Sequence, residues 1–496
     1  MKRPWINKED FTALGIKDAK LQTKFQQVCN GLLKKNDISK GELLSKLQEV
    51  VDHPLVFAEE KGSKFRFLAE LLLAKKRQEA VPQTDAKTYD LNEQVPVFPI
   101  YGAEHIDEKA IGQMNAAMRL PISLAGALMP DAHSGYGLPI GGVLATESNK
   151  IIPFAVGVDI ACRMCLSIYD ISDRAFEKDG SRLKLILNEN TVFGMGAKSK
   201  NYYDTSIFDR HEWSATKLIR SLKDKAYAQL GTSGTGNHFV EWGTFNIKDG
   251  MLEDLPAGNY LALLSHSGSR GFGASIANYY SKLAMEKTIL PREAKELAWL
   301  DLDSAEGQEY WISMNLAGDY ASANHHEIHN KISTKLQAQP IMRIENHHNF
   351  AWQERLPDGR SVMVHRKGAT PAGAGVLGII PGSMATPGFL VRGKGDPAAI
   401  DSASHGAGRL MSRNRAFKEI KREAVEELLK QHGISLLGSG LDEAPMVYKD
   451  IHAVMKAQES LVEVLGSFMP KIVKMAAPRE RPEDYSFLVS QLIETS

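Results

Sequence analysis

Asp401-Ser-Ala-Ser-His405-Gly-Ala-Gly-Arg409-Leu-Met-Ser-Arg413 joins two kinds of chain. His405 precedes two flexible steps, Gly406 and Gly408. Beyond them a helical pattern is predicted: Leu410, Phe417, Ile420, Ala424 and Leu428 recur at helical spacing, with Arg409 and Arg413 four apart on another face. Glycine lets a backbone approach a ligand closely. A helix N-terminus offers unpaired N–H groups and a partial positive charge, and two arginines add bidentate phosphate donors. The stretch therefore sets an imidazole beside a phosphate-binding corner and predicts a histidine that attacks, or receives, a phosphoryl or nucleotidyl group. By itself it reads better as a Gly-rich loop before a surface helix with a solvated basic face; the rest of the chain reverses that preference.

Two flanking stretches extend the corner. Val364-His365-Arg366-Lys367-Gly-Ala-Thr370 is a compact basic turn. Ile380-Pro381-Gly382-Ser383-Met384-Ala-Thr386-Pro-Gly388 has the hydroxyls and backbone N–H groups that suit a phosphate or a purine edge. A solvated basic turn and a structural Pro-Gly bend are the plain alternatives.

Of the 15 histidines, several lie in Gly-, Asn- or Ser-rich turns. In Gly157-Val-Asp159-Ile-Ala-Cys162 a carboxylate and a thiol three apart can converge on one metal. A soft and a hard donor together suit a borderline divalent ion such as manganese, zinc or cobalt. Cys162 alone would pass for a small buried hydrophobe. Cys162-Arg-Met-Cys165 has no second pair, which argues against a structural zinc module; if the segment is a strand, Cys165 points away from Cys162. Gly231-Thr-Ser-Gly-Thr-Gly236-Asn237-His238-Phe239-Val-Glu241 is a tight polar loop without the Lys-Ser/Thr ending of a P-loop. Leu263-Leu-Ser-His266-Ser-Gly-Ser-Arg270 puts a histidine at the end of a buried strand. In Glu345-Asn-His347-His348-Asn349-Phe350 the adjacent histidines face opposite ways, so one of them reaches a given metal. A lone turn histidine is usually a satisfied polar residue; four of them with an Asp-x-x-Cys favour one or two metals.

The totals frame these motifs. At 496 residues two or more structural units are expected. Sixty basic and 60 acidic residues cancel, so a polyanion site must be a local cluster. Three cysteines, Cys29, Cys162 and Cys165, are too few for a disulfide framework and fit a reducing compartment. The first residues lack the apolar core of a signal peptide and no apolar run is long enough to cross a bilayer, so a cytoplasmic location is expected. Residues 1–80 read as an accessory helical region, with Phe11, Leu14, Leu21, Phe25 and Val28 at helical spacing, and 81–95 as a polar linker. Val95–Tyr101 reads as a strand and Glu104–Met118 as a helix. Beyond residue 129 short β-like runs alternate with Gly- and His-rich turns, and helices interrupt at about 276–288, 306–333, 410–431 and 451–466. Strands and helices do not alternate regularly, which predicts an α+β fold.

Met129-Pro-Asp131-Ala-His133-Ser-Gly-Tyr-Gly137, Gly157-Val-Asp159-Ile-Ala-Cys162, Gly236-Asn-His238-Phe, His266-Ser-Gly-Ser-Arg270, His365-Arg-Lys-Gly-Ala-Thr370, Pro381-Gly-Ser-Met384, His405-Gly-Ala-Gly-Arg409 and Asp442-Glu-Ala-Pro445 occur in that order. Together they resemble the RtcB family of RNA-splicing ligases, from about residue 95 to 475. The resemblance implies a catalytic domain over 96–475 with central β-sheets flanked by helices, and a divergent tail over 476–496. It also implies GTP- and manganese-dependent joining of an RNA 3′-phosphate or 2′,3′-cyclic phosphate to a 5′-hydroxyl, in RNA repair or tRNA splicing. On this resemblance Asp159, Cys162, His238, His266 and His348 would hold the metals, two manganese ions per site. His405 would carry the guanylate, with Asp131 and His133 supporting it. Asn237, His348, Asn349, Pro381, Gly382, Ser383, Met384, Gly406, Ala407 and Gly408 would line the GTP site. Arg366, Lys367, Arg409 and Arg413 would meet RNA phosphates or the triphosphate. The chain departs from the family pattern at Gly388, where a serine would contact the nucleotide, at His325, where arginine is frequent, and after Lys474, where no terminal Lys-Gly follows. Two other functions are compatible with the residues: a metal-dependent phosphohydrolase, and a non-catalytic RNA-end-binding protein.

Overall fold

In a computed structural model of the protein, residues 5–34, 38–60, 63–80, 86–200, 202–248, 250–253 and 255–476 are described. The chain divides into two compact units, 1–85 and 86–496.

The first unit is helical, as its periodicity predicts. Helices Lys8–Ala13 and Lys40–Asp52 begin with reciprocal caps, Asn7 with Asp10 and Ser39 with Glu42. Their apolar stripes, with those of Ala19–Lys34 and Arg66–Ala80, bury Phe11, Phe25, Cys29, Leu43, Leu47, Val50 and Leu68 in a core of their own.

The second unit is built on two antiparallel sheets. Its longer strands are β1 (Ser123–His133), β2 (Ile140–Glu147), β3 (Arg163–Ser172), β4 (Phe239–Ile247), β5 (Gly258–Ser267), β6 (Pro340–His347), β7 (Phe350–Arg355), β8 (Ser361–Lys367), β9 (Leu377–Ile380), β10 (Gly388–Gly393) and β11 (Val462–Met475). The larger sheet runs β6-β3-β5-β4-β11-β10-β9, and Ser435–Leu436 pairs with β11 outside this path. The smaller runs β7-β8-β2-β1. The larger sheet curls until its outer strands meet. There the Asn346 side chain of β6 substitutes for a ladder: Nδ2 donates to Ile379 O (3.2 Å), and Ile379 N donates to Oδ1 (2.9 Å). Strand alternation gives this near-barrel two apolar faces. Met164, Leu166, Ile168, Ala262, Leu264 and Phe245 fill the interior. Tyr169, Trp242, Leu261 and Leu263 face outward, onto Ile328, Ile332 and Leu336 of the helix Ala305–Leu336.

Mixed helix and sheet fulfils the α+β expectation, but several boundaries differ. Val95–Tyr101 forms no ladder beyond an Ile100–Leu128 bridge, because Pro96 and Pro99 have no N–H to donate. The linker expected over 81–95 is shorter: 81–85 lie outside the described residues, Lys87–Thr88 pair with Thr288–Ile289, and Tyr89 and Leu91 pack on the core. The helix expected over 451–466 ends at Ala457, and β11 starts at Val462. The helix expected from Leu410 starts only at Arg413, where Ser412 accepts from Arg415 N, and it breaks after Glu419 before resuming at Arg422. Arg409 and Arg413 therefore do not share a helix face, and no helix N-terminus follows Gly408. The tail expected over 476–496 lies, from residue 477, outside the described residues.

Candidate metal and nucleotide site

Four adjacent strands deliver side chains to one end of the large sheet. Cys162 immediately precedes β3, His266 lies in the last turn of β5, His238 precedes β4 and His348 follows β6. Asp159 is brought in by a turn closed by Cys162 N donating to Asp159 O (3.2 Å), with Ala161 at φ 55°. Gly268 packs directly against the Asp159 carboxylate, where a Cβ would collide with it.

Cys162 Sγ lies 3.0 Å from His266 Nε2 and 3.4 Å from His238 Nε2. His266 Nε2 lies 3.2 Å from His348 Nε2, and His238 Nε2 2.8 Å from Asp159 Oδ2. Two donor groups result, Asp159/Cys162/His238 and Cys162/His266/His348, and Cys162 belongs to both. The backbone sets the tautomers: His238 Nδ1–H donates to Ser233 O (2.8 Å) and His266 Nδ1–H to Asn237 O (3.0 Å). Both Nε2 lone pairs are then aimed at a carboxylate, a sulfur and another imidazole. Acceptors facing acceptors in a buried place are stable when a cation lies between them. His348 Nδ1 is buried and has no hydrogen-bond partner, so its ring is held by its surroundings and not by a competing bond. Burial lowers the basicity of His266 to about 3, and that of His348 well below the usual range. Burial opposes ionisation of Asp159, but the His238 ring in its protonated form, the Cys162 hydrogen bond and Arg270 together outweigh it and hold the carboxyl at about 2; a bound cation would take the place of the His238 Nε2 proton. Neutral imidazoles and an ionised carboxylate are the forms that ligate; these residues could hold metal.

His405 stands beside this cluster, its ring centroid 4.8 Å from that of His348. It leaves the short strand Ser402–Ser404, which pairs with Ala369–Pro371. Its Nδ1 lies 2.6 Å from Oδ2 of fully buried Asp131, which also accepts its backbone N–H (3.2 Å). The proton is thus on Nδ1 and the lone pair on Nε2. Gly408 (φ 75°) lies against the Asp131 backbone so closely that a side chain there would overlap Asp131 O. His133 accompanies Asp131, its Nδ1 3.1 Å from Asp131 O, and burial pushes its basicity down to about 4.

Most of the predicted nucleotide residues are close to this corner. Asn349 (φ 61°) bridges, its Nδ2 donating to Asp159 O (3.2 Å) and its Oδ1 accepting from Gly368 N (2.7 Å). Gly406 packs on Pro381, and Ser383 Oγ meets Thr386 Oγ1 (2.9 Å) in the turn between β9 and β10. Gly382 lies in that turn against Thr386. Met384 and Ala407 are buried, whereas Asn237 is exposed. His347 points the other way, against Phe350 and Trp352.

The basic residues expected to meet RNA phosphates or the triphosphate all have partners within the protein. Arg366 is 1% exposed. It forks onto Glu354 (2.5 and 3.0 Å), donates to Ser402 Oγ and Ile400 O, and stacks on Trp352. The alternation of β8 turns it inward, so it knits the small sheet to the His405 strand. Lys367 is buried and donates to Tyr136 O and Phe154 O (3.1 Å for the latter). Arg409 donates to Asp442 O (2.8 Å) and lies over Tyr448. Arg413 pairs with Asp442 and Glu443, and its guanidinium lies over Gly236, next to Asn237. Of the four, Arg413 keeps the largest exposed fraction. Arg366→Ala is expected to cost about 3 kcal/mol in urea unfolding, because it empties the space of a buried guanidinium and leaves Glu354, Ser402 Oγ and Ile400 O without their donor; an unchanged midpoint would refute this role.

Sequence reasoning missed two positioning residues. Lys449 Nζ donates to Pro130 O (3.1 Å) and Ala132 O (2.6 Å), gripping the backbone on both sides of Asp131. Buried Asn324 accepts from Gly231 N and Thr232 N and donates to Thr232 O and Ser267 Oγ, tying the glycine loop of His238 to β5. A polar residue in the middle of a long helix was the available signal. Glu241 was quoted only as the end of its motif; it is buried in β4, and burial pushes its carboxyl well above the usual range.

The fold and site define an α+β protein with a cysteine–imidazole–carboxylate centre beside an aspartate-anchored histidine. The family model described as tRNA-splicing ligase RtcB matches residues 113–475, and the chain belongs to the RtcB family. It is 34% identical over 374 residues to RNA-splicing ligase RtcB of Escherichia coli K12, spanning 68% of this chain and 87% of that protein. To tRNA-splicing ligase RtcB of Nanoarchaeum equitans it is 31% identical over 458 residues, 76% and 95% of the two chains. To that of Thermococcus kodakarensis it is 29% identical over 413 residues, 69% and 85%.

Proposed function

We propose that this chain is an RNA ligase that joins an RNA 3′-phosphate to a 5′-hydroxyl through a guanylate carried on His405, using GTP and manganese. A 2′,3′-cyclic phosphate end enters the same route once water has opened it to the 3′-phosphate. The observation that carries the reading is the Asp131–His405 pair: a buried carboxylate holds the Nδ1 proton and leaves Nε2 as a nucleophile beside the donor cluster.

Asp159, Cys162, His238, His266 and His348 would hold the metal ions, whose charge would neutralise phosphate oxygens and assist the leaving group. His405 Nε2 attacks the α-phosphorus of GTP; the N–P bond forms as the bond to pyrophosphate breaks. The ring becomes cationic and Asp131 balances that charge without itself taking the proton. An oxygen of the RNA 3′-phosphate then takes the guanylate and the N–P bond breaks, returning the lone pair to Nε2. The 5′-hydroxyl attacks the activated phosphate and GMP leaves. The turn Pro381–Met384 and the segment His405–Gly408 line the nucleotide, Asn237 and Asn349 flank it, and Arg413 at Gly236 is the basic residue best placed for phosphate.

The test is incubation with manganese and α-labelled GTP. Acid-labile, alkali-stable label on the chain is the expected result. Release of inorganic phosphate from RNA ends without any label on the chain would instead assign a phosphohydrolase; RNA-end binding with neither would assign a non-catalytic binder. Asp131→Asn is expected to slow labelling by about 10³–10⁴-fold, as an amide there favours the wrong tautomer, with GTP affinity little changed. Equal rates in the two proteins would remove Asp131 from the mechanism.

A further inference from the structure

Three residues after Cys162, the alternation of β3 turns Cys165 to the opposite face of the sheet, against the helix Ala305–Leu336. His325 and His329, one turn apart on that helix, meet it there. One donor atom from each of Cys165, His325 and His329 lies within 4.8 Å of the others, and all three residues are 0% exposed. None of them belongs to the site described above.

The hydrogen bonds around this group form one continuous relay. Arg343 Nε donates to Ser167 Oγ (3.2 Å), and Ser167 Oγ meets His329 Nδ1 (2.8 Å). Ser265 Oγ lies between His329 Nε2 (2.8 Å) and His325 Nδ1 (2.7 Å). Arginine is a donor only. A serine hydroxyl accepts two hydrogen bonds, so Ser167 can accept from Arg343 and from His329 Nδ1–H while Ser265 gives its proton to His329 Nε2 and accepts from His325 Nδ1–H, or each bond beyond Arg343 runs the other way. In either direction His325 Nε2 is buried and has no hydrogen-bond partner among the described residues. A chain of satisfied bonds thus ends on an orphaned ring nitrogen within reach of a thiol, and an orphaned buried polar atom is unfavourable. With His325 Nδ1–H donating to Ser265, Nε2 presents its lone pair toward the thiol; a cation then displaces one proton, that of the Cys165 thiol, to solvent, and the ligands are a thiolate and a neutral imidazole.

We propose that Cys165, His325 and His329 hold a divalent cation of the zinc class, which pins the long helix to the sheet behind the Cys162 centre. A thiolate with two imidazoles suits a borderline-soft, four-coordinate ion. The Ser265 hydroxyl, directly opposite Cys165 in the β3–β5 ladder, is the fourth donor. His329 joins by exchanging one serine partner for the ion. Burial keeps both rings neutral, pushing His325 down to about 3 and His329 well below the usual range, so protons do not compete with the ion near neutrality. The closed surroundings leave no position for a substrate, which makes this ion structural.

Cobalt(II) is the probe. The Cys162→Ala protein, whose first centre has lost its sulfur, is expected to show a thiolate-to-cobalt charge-transfer band with the strong visible absorption of a tetrahedral site. The band is expected to vanish in Cys162→Ala/Cys165→Ser. A folded Cys162→Ala protein without the band overturns the proposal, and so does a band that survives in the double variant, which would assign it to Cys29. A second measurement is independent of Cys162: the full-length protein and its Cys165→Ser variant, equilibrated with zinc, are expected to differ by one bound equivalent. Equal zinc contents would leave a dry hydrogen-bond relay as the role of these residues and overturn the site.

Discussion

His405→Ala is expected to carry no covalent nucleotide after incubation with GTP and manganese, and to lose ligation by at least about 10³-fold. The reason is geometric. Among the described residues His405 has its Nδ1 neutralised by a buried carboxylate and stands next to the donor cluster without belonging to either donor group. The other imidazoles there are occupied as prospective ligands. Alanine removes no core volume but leaves the buried Asp131 carboxylate with only the residue-405 N–H, so the variant is expected to fold with reduced stability. Metal content should remain at the wild-type level while label falls to background. Label persisting in His405→Ala at a wild-type rate would transfer the nucleophile to another residue and break the proposed mechanism.

Cys162→Ala is expected to have the second large effect. Its sulfur is the one donor common to both groups, 3.0 Å from His266 Nε2 and 3.4 Å from His238 Nε2. Loss of a residue that only hydrogen-bonds a metal ligand costs about 10–100-fold in affinity or activity. Loss of a shared ligand should cost more, and manganese bound at equilibrium should fall by one equivalent or both. Unlike His405→Ala, this variant should bind GTP while failing to retain metal on gel filtration. Wild-type manganese content in Cys162→Ala would exclude the thiolate as a ligand.

Much of the site was legible because its signals are local. Alternation along an extended chain assigns Cys162 and Cys165 to opposite faces, and it separates His347 from His348; both separations are present in the structure. Turn chemistry in the glycine-rich motifs marked where backbone comes close to other groups. Helical spacing found the long helix to within three residues at its C-terminal end. The misreadings have equally local causes. Two prolines emptied the ladder expected at Val95–Tyr101, and Ser412 as an N-cap moved the helix start past Arg409.

The surroundings of the basic residues were not legible for a different reason. Charge in a sequence says that a partner is needed, not which partner is supplied. Arg366 found Glu354 across the β7–β8 ladder, and Arg409 and Arg413 found Asp442 and Glu443 about thirty residues on.

By itself, the order of residues determined the helical first unit, the α+β character of the second, the chemical kinds of donor and the faces on which neighbouring donors fall. These depend on periods of two or 3.6 residues and on turn geometry, which act over a few bonds. Only the tertiary structure decided that Asp131 holds His405 across 274 residues of chain, that Lys449 and Asn324 brace the two loops, and that Arg366 is interior. Those pairings follow from sheet order and register, which are set by burying the whole core at once and leave no trace in any short window of sequence.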